Sequence, residues 1–187
     1  LTLLGMDESH EIALVEMGTN HPGEIKYLSK VAEPDLAVIV NAFDAHIENF
    51  GSVQAIISEK CSITAGLKES GLLIVNNDSP GLADFCQSHQ YKYLTFGKDR
   101  RSDIHCTDIM IEPMASEFKI EGVRVRLGVP GKGNIDNAMA AWALCKNLGV
   151  EARGFAEAIA DFGGVDMRLE PIKLGKMLVI SDCYNAN

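Results

Sequence analysis

The chain has 187 residues, of which 47% are hydrophobic and 23% charged, enough apolar material for one globular core but too short for two full domains. Its net charge of -9 excludes the basic footprint of a protein that binds nucleic acid or an anionic membrane. Five cysteines without a C-x-x-C pair exclude a disulfide framework and a zinc knuckle. We therefore expect one cytoplasmic domain, with neither a nucleic-acid partner nor membrane insertion.

The first half of the chain predicts strands that alternate with helices. The apolar runs at 11–17 and 34–41 are typical of buried strands, and between them Pro22 is expected to start a helix with Ile25 and Leu28 on one face. The elements expected next are a helix over 52–67, a strand over 71–77, a helix over 79–89 and a strand over 91–96. Such alternation predicts a parallel sheet covered by helices.

The second half of the chain predicts a different arrangement of strands and helices. Short alternating segments split by turn residues run from about Asp103 to Val129 and favour an antiparallel patch. Helices are expected over 133–149 and 152–164, and a final hairpin is expected to deliver Asp182 to a strand tip. The predicted fold class is α/β, with a mostly parallel sheet flanked by helices and an antiparallel patch.

Two polar residues follow predicted strands. Glu16 ends the first apolar run, and His46 lies in the loop after the second. Ligands bind beyond the carboxyl ends of strands in open α/β sheets, so Glu16 could hold Mg²⁺ and His46 could ligate a metal. From position alone, a solvated strand-end acid and a surface histidine are the more common outcomes.

Other polar residues are ambiguous when read from their local pattern. Lys60 interrupts an apolar helix face and reads as an ordinary exposed or snorkelling lysine. Asn134 and Asn137 are three apart on a helix, so they can face a base edge together, although Asn134 could equally cap the helix. Arg168 and Asp182 could hold phosphate and ribose, or form a salt bridge with each other.

Four segments in order resemble the signatures of the Mur ligase family over nearly the whole chain. They are VEMGTNHPGEI (15–25), NAFDAHIENFGS (41–52), GNIDNAMAA (133–141) and SDCYNAN (181–187). The first and the last are most similar to the branch that adds D-alanyl-D-alanine to UDP-N-acetylmuramoyl-tripeptide. The resemblance thus implies an ATP-dependent ligase of peptidoglycan synthesis, with a P-loop-type central domain.

The resemblance also implies roles for residues near the metal. It implies that Glu16 coordinates the magnesium at the ATP phosphates, that His46 helps to hold a second magnesium, and that Lys60 is carbamylated in the active enzyme. A carbamate is an anionic oxygen ligand, whereas an ammonium would repel Mg²⁺. Asn20 and His21 fall in the segment that lines the muramoyl-peptide side.

The nucleotide residues follow from the same resemblance. Asn134 and Asn137 match asparagines near the adenine, Arg168 matches a catalytic arginine that contacts the nucleotide, and Asp182 matches the aspartate that reaches the ribose.

Three positions depart from the family pattern. Gly133 stands where histidine is usual, Met167 stands where glycine often precedes the arginine, and Cys183 replaces serine. We expect these departures to modulate nucleotide contacts, with Gly133 altering the adenine pocket most.

The phosphate-binding loop G-x-x-x-x-G-K-[ST] is absent from the sequence, and PGKGN at 130–134 does not match it. Residues 1–187 are therefore expected to be an incomplete central ATP-binding domain, with its neighbouring domains and the loop encoded outside it. Such a chain is expected to fold without turning over and, with a gap in its sheet, to self-associate. The alternatives are a third-residue-adding Mur ligase and a noncatalytic binding module.

Overall fold

The computed structural model of the chain describes residues 3–43 and 47–184. Within these ranges the strands are β1 (Leu36–Ile39), β2 (Leu72–Asn76), β3 (Tyr93–Gly97), β4 (Ile104–Ile111), β5 (Ser116–Ile120), β6 (Val123–Leu127), β7 (Glu170–Leu174) and β8 (Met177–Ser181). The helices are α1 (Glu24–Ala32), α2 (Ile47–Phe50), α3 (Val53–Cys61), α4 (Leu82–Ser88), α5 (Lys132–Asn147) and α6 (Ala152–Ile159). Two 3₁₀ turns cover Leu3–Gly5 and Ser62–Ala65.

Strands β1 to β6 lie in chain order in one six-stranded sheet, and β7 and β8 form a separate two-stranded sheet. β1 runs parallel to β2 with Leu36 opposite Leu72, and β3 runs parallel to β4 with Phe96 opposite Ile104. β4, β5 and β6 pair in antiparallel order. The predicted α/β fold class, with parallel strands flanked by helices and an antiparallel patch, is confirmed.

The chain divides into two compact units, Leu1–Leu94 and Thr95–Asn187. The core of the first unit consists of apolar side chains from β1 and the segment just after it, and from β2, α3 and α4. They are Ala37, Ile39, Ala42, Ile57, Cys61, Leu73, Val75, Leu82 and Cys86. Helix α3 begins where the sequence supplies an N-cap, because the Ser52 side chain accepts a hydrogen bond from the Ala55 N–H at 3.2 Å.

A close backbone approach also holds the first unit together. Gly66 follows the second 3₁₀ turn, and a Cβ atom placed on it would lie 2.1 Å from the carbonyl carbon of Ser29 in α1. Ser29 is fully buried at this point. Only a residue without a side chain lets the two backbones come this close.

In the second unit, α5 and α6 pack through aromatic side chains. The rings of Trp142 and Phe155 are both buried, with their centroids 5.3 Å apart in a tilted arrangement. Strand β4 contains an irregularity between Thr107 and Met110, where it pairs with β5. The antiparallel texture predicted for about 103–129 is therefore confirmed, with a bulge that its pattern does not reveal.

The strand predicted over 11–17 is wrong. This segment is irregular, and its apolar side chains are exposed or only half-buried, with Leu14 82% accessible. An apolar run forms a strand only when a second strand pairs with its backbone, and this run has no partner strand within the described residues. Helix α1 also begins at Glu24 rather than at Pro22, and it buries Ile25 and Ser29 rather than Leu28.

No helix in the described ranges has the length and apolar character needed to cross a bilayer.

Candidate functional site

Eight of the nine predicted site residues lie in the described ranges, and they form two groups, one in each unit. The residues are Glu16, Asn20, His21 and Lys60 in the first unit and Asn134, Asn137, Arg168 and Asp182 in the second. His46 lies outside the described residues.

Glu16 is exposed and lies in the irregular segment before α1. Its expected position at the end of a buried strand is wrong, because residues 11–17 do not pair into the sheet. A carboxylate on such a segment is accessible to a cation.

The loop that carries Asn20 and His21 is held by the carboxylate of Glu24. One oxygen of Glu24 accepts the backbone N–H groups of Asn20 and His21 at 2.7 and 2.9 Å, and the Thr19 hydroxyl at 3.2 Å. These N–H groups lower the pKa of Glu24 to about 2. The side chains of Asn20 and His21 are exposed, so the loop presents both to solvent from a fixed backbone.

Glu59 of α3 holds the same loop from the other side, and the sequence patterns above do not single it out. Its side chain is buried, and its two oxygens accept the N–H groups of Gly23 at 2.7 Å and Ile25 at 3.0 Å. The signal that could have found it is an acid at the apolar spacing of Ile56 and Ile63 on one helix face.

Lys60 follows Glu59 and lies at the carboxyl end of β1. Its side chain is half-buried, and its Nζ donates a hydrogen bond to the Asn41 carbonyl at 2.7 Å. Burial lowers the pKa of the Lys60 ammonium below its ordinary value. Lys60 is therefore not a fully exposed lysine, which was one of the two alternatives that its local pattern suggested.

Two buried polar side chains fix the chain where β1 ends. Asn76, the last residue of β2, donates to the Val40 carbonyl at 2.9 Å, and the Ser79 hydroxyl accepts the Ala42 N–H at 3.0 Å. The segment that accepts the Lys60 hydrogen bond is thereby tied to the end of β2. Sequence reasoning missed both residues, although polar residues directly after a buried strand are a recognisable signal.

In the second unit, Asn134 and Asn137 lie in the first two turns of α5. Asn134 is half-buried and donates to the Pro130 carbonyl at 2.8 Å, whereas Asn137 is exposed. Helix α5 begins at Lys132 after Gly131, so the alternative that Asn134 caps the helix is wrong. An ion pair between Lys98, directly after β3, and Asp136 anchors the helix between the two asparagines.

Arg168 and Asp182 are brought together through the backbone rather than through a salt bridge. Asp182 accepts the Leu169 N–H at 3.3 Å, and the Arg168 guanidinium lies 4.3 Å from the ring centroid of Tyr184. The Tyr184 N–H also donates to the Met167 carbonyl at 3.1 Å. Sequence reasoning missed Tyr184 as the partner of Arg168.

The turn around Arg168 has an unusual backbone. Met167 has a φ of 60° and Leu169 a φ of 47°, both in the left-handed region that side chains disfavour. The departure noted at Met167, where glycine is frequent in similar sequences, thus falls where glycine would be the less strained residue. The tertiary contacts of Arg168 and Asp182 hold the turn in this conformation.

The described residues contain no group of three or more His, Cys, Asp or Glu side chains placed to hold a metal ion. A ligand set drawn from Glu16, His46 and a carbamylated Lys60 is of a different kind, because it includes an oxygen ligand made from a lysine. The half-buried Lys60 amine fits that chemistry better than a solvated ammonium does.

The fold and these residues define a class of protein. A family model described as the Mur ligase middle domain matches residues 1–145, and the chain belongs to this family.

Similar proteins narrow this class further. The chain is 38% identical to the UDP-N-acetylmuramoyl-tripeptide--D-alanyl-D-alanine ligase of Bacillus subtilis, with all of this chain and 41% of that enzyme aligned. Its sequence is 32% identical to that of MurF from Acinetobacter baumannii. The crystal structure of that protein matches this chain with a TM-score of 0.91, over 99% of this chain and 42% of that one. The MurF ligase of Thermotoga maritima, solved with ADP, is 28% identical with a TM-score of 0.80, over 91% of this chain and 40% of that one. The chain thus spans about two fifths of each of these relatives.

Proposed function

We propose that this chain is the central domain of a longer ligase that joins D-alanyl-D-alanine to UDP-N-acetylmuramoyl-tripeptide in the cytoplasm, at the expense of ATP. The single observation that carries the proposal is the environment of Lys60, half-buried at the carboxyl end of β1 with Nζ on the Asn41 carbonyl. The identity to D-alanyl-D-alanine ligases supports the choice of substrates.

The proposed chemistry of Lys60 begins with its neutral amine. Only the neutral amine attacks CO₂, forming an N–C bond and releasing one proton to give a carbamate. The lowered pKa of Lys60 favours that neutral form. When bound, Mg²⁺ would supply charge neutralisation at phosphate oxygens, and Glu16, His46 and the carbamate of Lys60 are the proposed residues that hold it. We expect this modification in the complete enzyme and a free lysine in the isolated chain.

The second group of residues is proposed to bind ATP. Asn134 and Asn137 offer amides to the adenine, Asp182 offers a carboxylate to the ribose hydroxyls, and the Arg168 guanidinium offers positive charge to the phosphates. The ADP complex of the Thermotoga maritima relative supports a nucleotide as the ligand.

The proposed reaction has two steps. The terminal carboxylate of the tripeptide attacks the γ-phosphorus of ATP and releases ADP, which gives an acyl-phosphate. The amine of D-alanyl-D-alanine then attacks the acyl carbon, loses a proton and expels phosphate as the amide forms. Asn20 and His21, on the loop fixed by Glu24, are proposed to bind the muramoyl-peptide. Both steps build negative charge on oxygen, which Arg168 is proposed to offset.

The isolated chain is proposed to fold without catalysing this reaction and to self-associate. Support for self-association comes from β1, which lies at one edge of the six-stranded sheet and leaves backbone groups available for pairing. ATP-dependent phosphate release by the isolated chain with both substrates would contradict the first statement. A concentration-independent monomer in sedimentation would contradict the second.

The role of Lys60 is tested in the full-length ligase by Lys60→Met, which keeps an unbranched side chain as far as Cε and removes the amine. We expect the ligation rate to fall about a hundredfold or more, because the carbamate oxygens are lost. Lys68→Met is the matched control, since Lys68 is exposed and paired with Asp35. Equal activity of Lys60→Met and Lys68→Met would refute the role of Lys60.

The nucleotide group is tested by Asn137→Ala in the same enzyme. The KM for ATP is expected to rise about tenfold, as for the loss of a hydrogen-bonding amide in a binding site. Asn147→Ala is the matched control, because Asn147 lies at the other end of α5 and donates a hydrogen bond to the Ala143 carbonyl of its own helix. An unchanged KM for ATP in Asn137→Ala would remove Asn137 from the site.

A further inference from the structure

The start of α1 is capped from a different helix. The first N–H groups of a helix have no partner within it, and no side chain at its own N-cap, Gly23, can supply one. Glu59 of α3 supplies the partner, with its Oε2 2.7 Å from the Gly23 nitrogen and its Oε1 3.0 Å from the Ile25 nitrogen. The Thr19 hydroxyl makes a third, longer contact to Oε1 at 3.4 Å.

This carboxylate is 7% exposed, so its hydrogen bonds are sheltered from water. A buried carboxylate is costly unless donors surround it, and here the donors are the backbone N–H groups of Gly23 and Ile25 in the loop of residues 19–25. Glu24 also closes this loop, but 43% of its side chain is accessible to solvent. Glu59 is therefore the sheltered anchor that joins the loop to the body of the first unit.

The neighbour of Glu59 on the same helix is Lys60, whose Nζ is fixed on the Asn41 carbonyl. Two consecutive residues of α3 thus have different partners. Glu59 binds the loop that presents Asn20 and His21, and Lys60 places its amine at the end of β1. A displacement of the loop relative to α3 changes the spacing between these two groups. Because Glu59 and Lys60 are consecutive residues of one helix, the helix fixes the distance between this loop and the Lys60 amine.

We propose that Glu59 is a positioning residue of the ligase, which sets the muramoyl-peptide loop at a fixed distance from Lys60. The inference rests on the proposed function, because that function assigns the roles of the loop with Asn20 and His21 and of the Lys60 amine. Glu59 acts through the backbone of residues 19–25 and touches no substrate. Its loss should weaken productive binding of the muramoyl-peptide while leaving the nucleotide group of the second unit unaffected.

The test uses the full-length ligase with Glu59→Gln, which keeps the shape of the side chain. An amide nitrogen then replaces one of the two acceptor oxygens and faces a backbone N–H, so one hydrogen bond is lost. We expect the KM for UDP-N-acetylmuramoyl-tripeptide to rise about tenfold, with the KM for ATP unchanged, because small displacements of a binding group have effects of this size. Glu69→Gln removes an exposed acid of the same unit and is the matched control.

A second variant and a second measurement separate positioning from loss of fold. Glu59→Asp keeps the charge on a shorter side chain and should recover part of the lost affinity for the tripeptide. Hydrogen exchange of the peptide that covers 19–27 should accelerate in Glu59→Gln and remain slow in Glu69→Gln. If Glu59→Gln does not fold, the KM values of Glu59→Asp decide the question.

The outcomes distinguish the inference from the function on which it rests. Faster exchange in Glu59→Gln with an unchanged KM for the tripeptide would overturn the positioning role and leave the ligase function standing. An equal rise in both KM values would indicate a general structural role and would also overturn it. A wild-type enzyme without ligase activity would remove the proposed function, and the positioning role with it.

Discussion

Strands β2 and β8 have similar sequences and opposite environments. β2 reads LLIVN and β8 reads MLVIS, so both are apolar runs of five residues that end in a polar side chain. Leu73 in β2 is fully buried, whereas Leu178 in β8 is 45% exposed. β2 has a neighbouring strand on each side, while among the described residues β8 pairs with β7 alone. Apolar composition therefore predicts a strand in both places, and the neighbours decide what the strand contributes to stability.

The comparison is tested most directly by replacing a leucine with alanine in each of the two strands. Leu73→Ala should lower the free energy of unfolding by about 3 kcal/mol, because it leaves a cavity in the core of the first unit. Leu178→Ala should lower it by less than about 1 kcal/mol, since the side chain is already half in water. Urea unfolding of the two variants measures both values, and equal losses would show that β8 is buried in solution.

A smaller effect is expected where the backbones of the first unit meet. Gly66→Ala should cost about 2 kcal/mol, since its Cβ would lie 2.1 Å from the Ser29 backbone in α1. Gly154→Ala in the exposed part of α6 is the control and should stabilise by about 0.5 kcal/mol, through better helix propensity. Thermal unfolding compares the two variants. A neutral Gly66→Ala would mean that α1 and the 3₁₀ turn are farther apart than described.

The turn before β7 extends the comparison to the exposed two-stranded sheet, where glycine substitutions should have opposite effects at two positions. Met167→Gly should stabilise by up to about 1 kcal/mol, because glycine adopts a φ of 60° without the strain of a side chain. Leu174→Gly, at a regular position of β7, should instead destabilise by roughly 0.5–1 kcal/mol. The midpoints of urea unfolding of the two glycine variants measure both changes in stability. Destabilisation by both would place Met167 in an ordinary backbone conformation.

The smallest expected effect concerns acid stability of the loop before α1. The pKa of Glu24 is lowered from 4.5 to about 2, so its stabilising contribution is present above pH 4.5 and is lost as the pH falls towards 2. Glu24→Gln should therefore flatten the fall in stability over this interval. Glu69→Gln, which removes an exposed acid, is the control. Parallel pH profiles for wild type and Glu24→Gln would contradict the hydrogen bonds assigned to this carboxylate.

The local patterns predict much of the fold because the signals for its elements lie within the elements themselves. Helix α3 follows from Ser52 as a cap and from its apolar spacing, and β2 follows from the run of four consecutive apolar residues at 72–75. The strand expected at 11–17 fails because pairing requires a partner elsewhere in the chain, which the apolar pattern does not encode.

The candidate site is less accessible to sequence reasoning because its contacts are distant. The partners of Glu59 are 34 to 40 residues away, and Asn76 reaches Val40 over 36 residues. Lys60 reads as an ordinary lysine from its pattern, and only the resemblance to Mur ligases implied a role for it. A salt bridge between Arg168 and Asp182 was one of the alternatives that their pattern left open, but in a turn with two left-handed residues the arginine lies against Tyr184 instead.

The central claim, a D-alanyl-D-alanine-adding ligase, is tested most directly by the mass of its product. The full-length protein would receive UDP-N-acetylmuramoyl-tripeptide, ATP, Mg²⁺ and an equimolar mixture of D-alanyl-D-alanine and free amino acids. We predict that the tripeptide gains one intact D-alanyl-D-alanine unit, with one ADP and one phosphate released for each product. Incorporation of a single amino acid, or no ATP-dependent product at all, would contradict the claim.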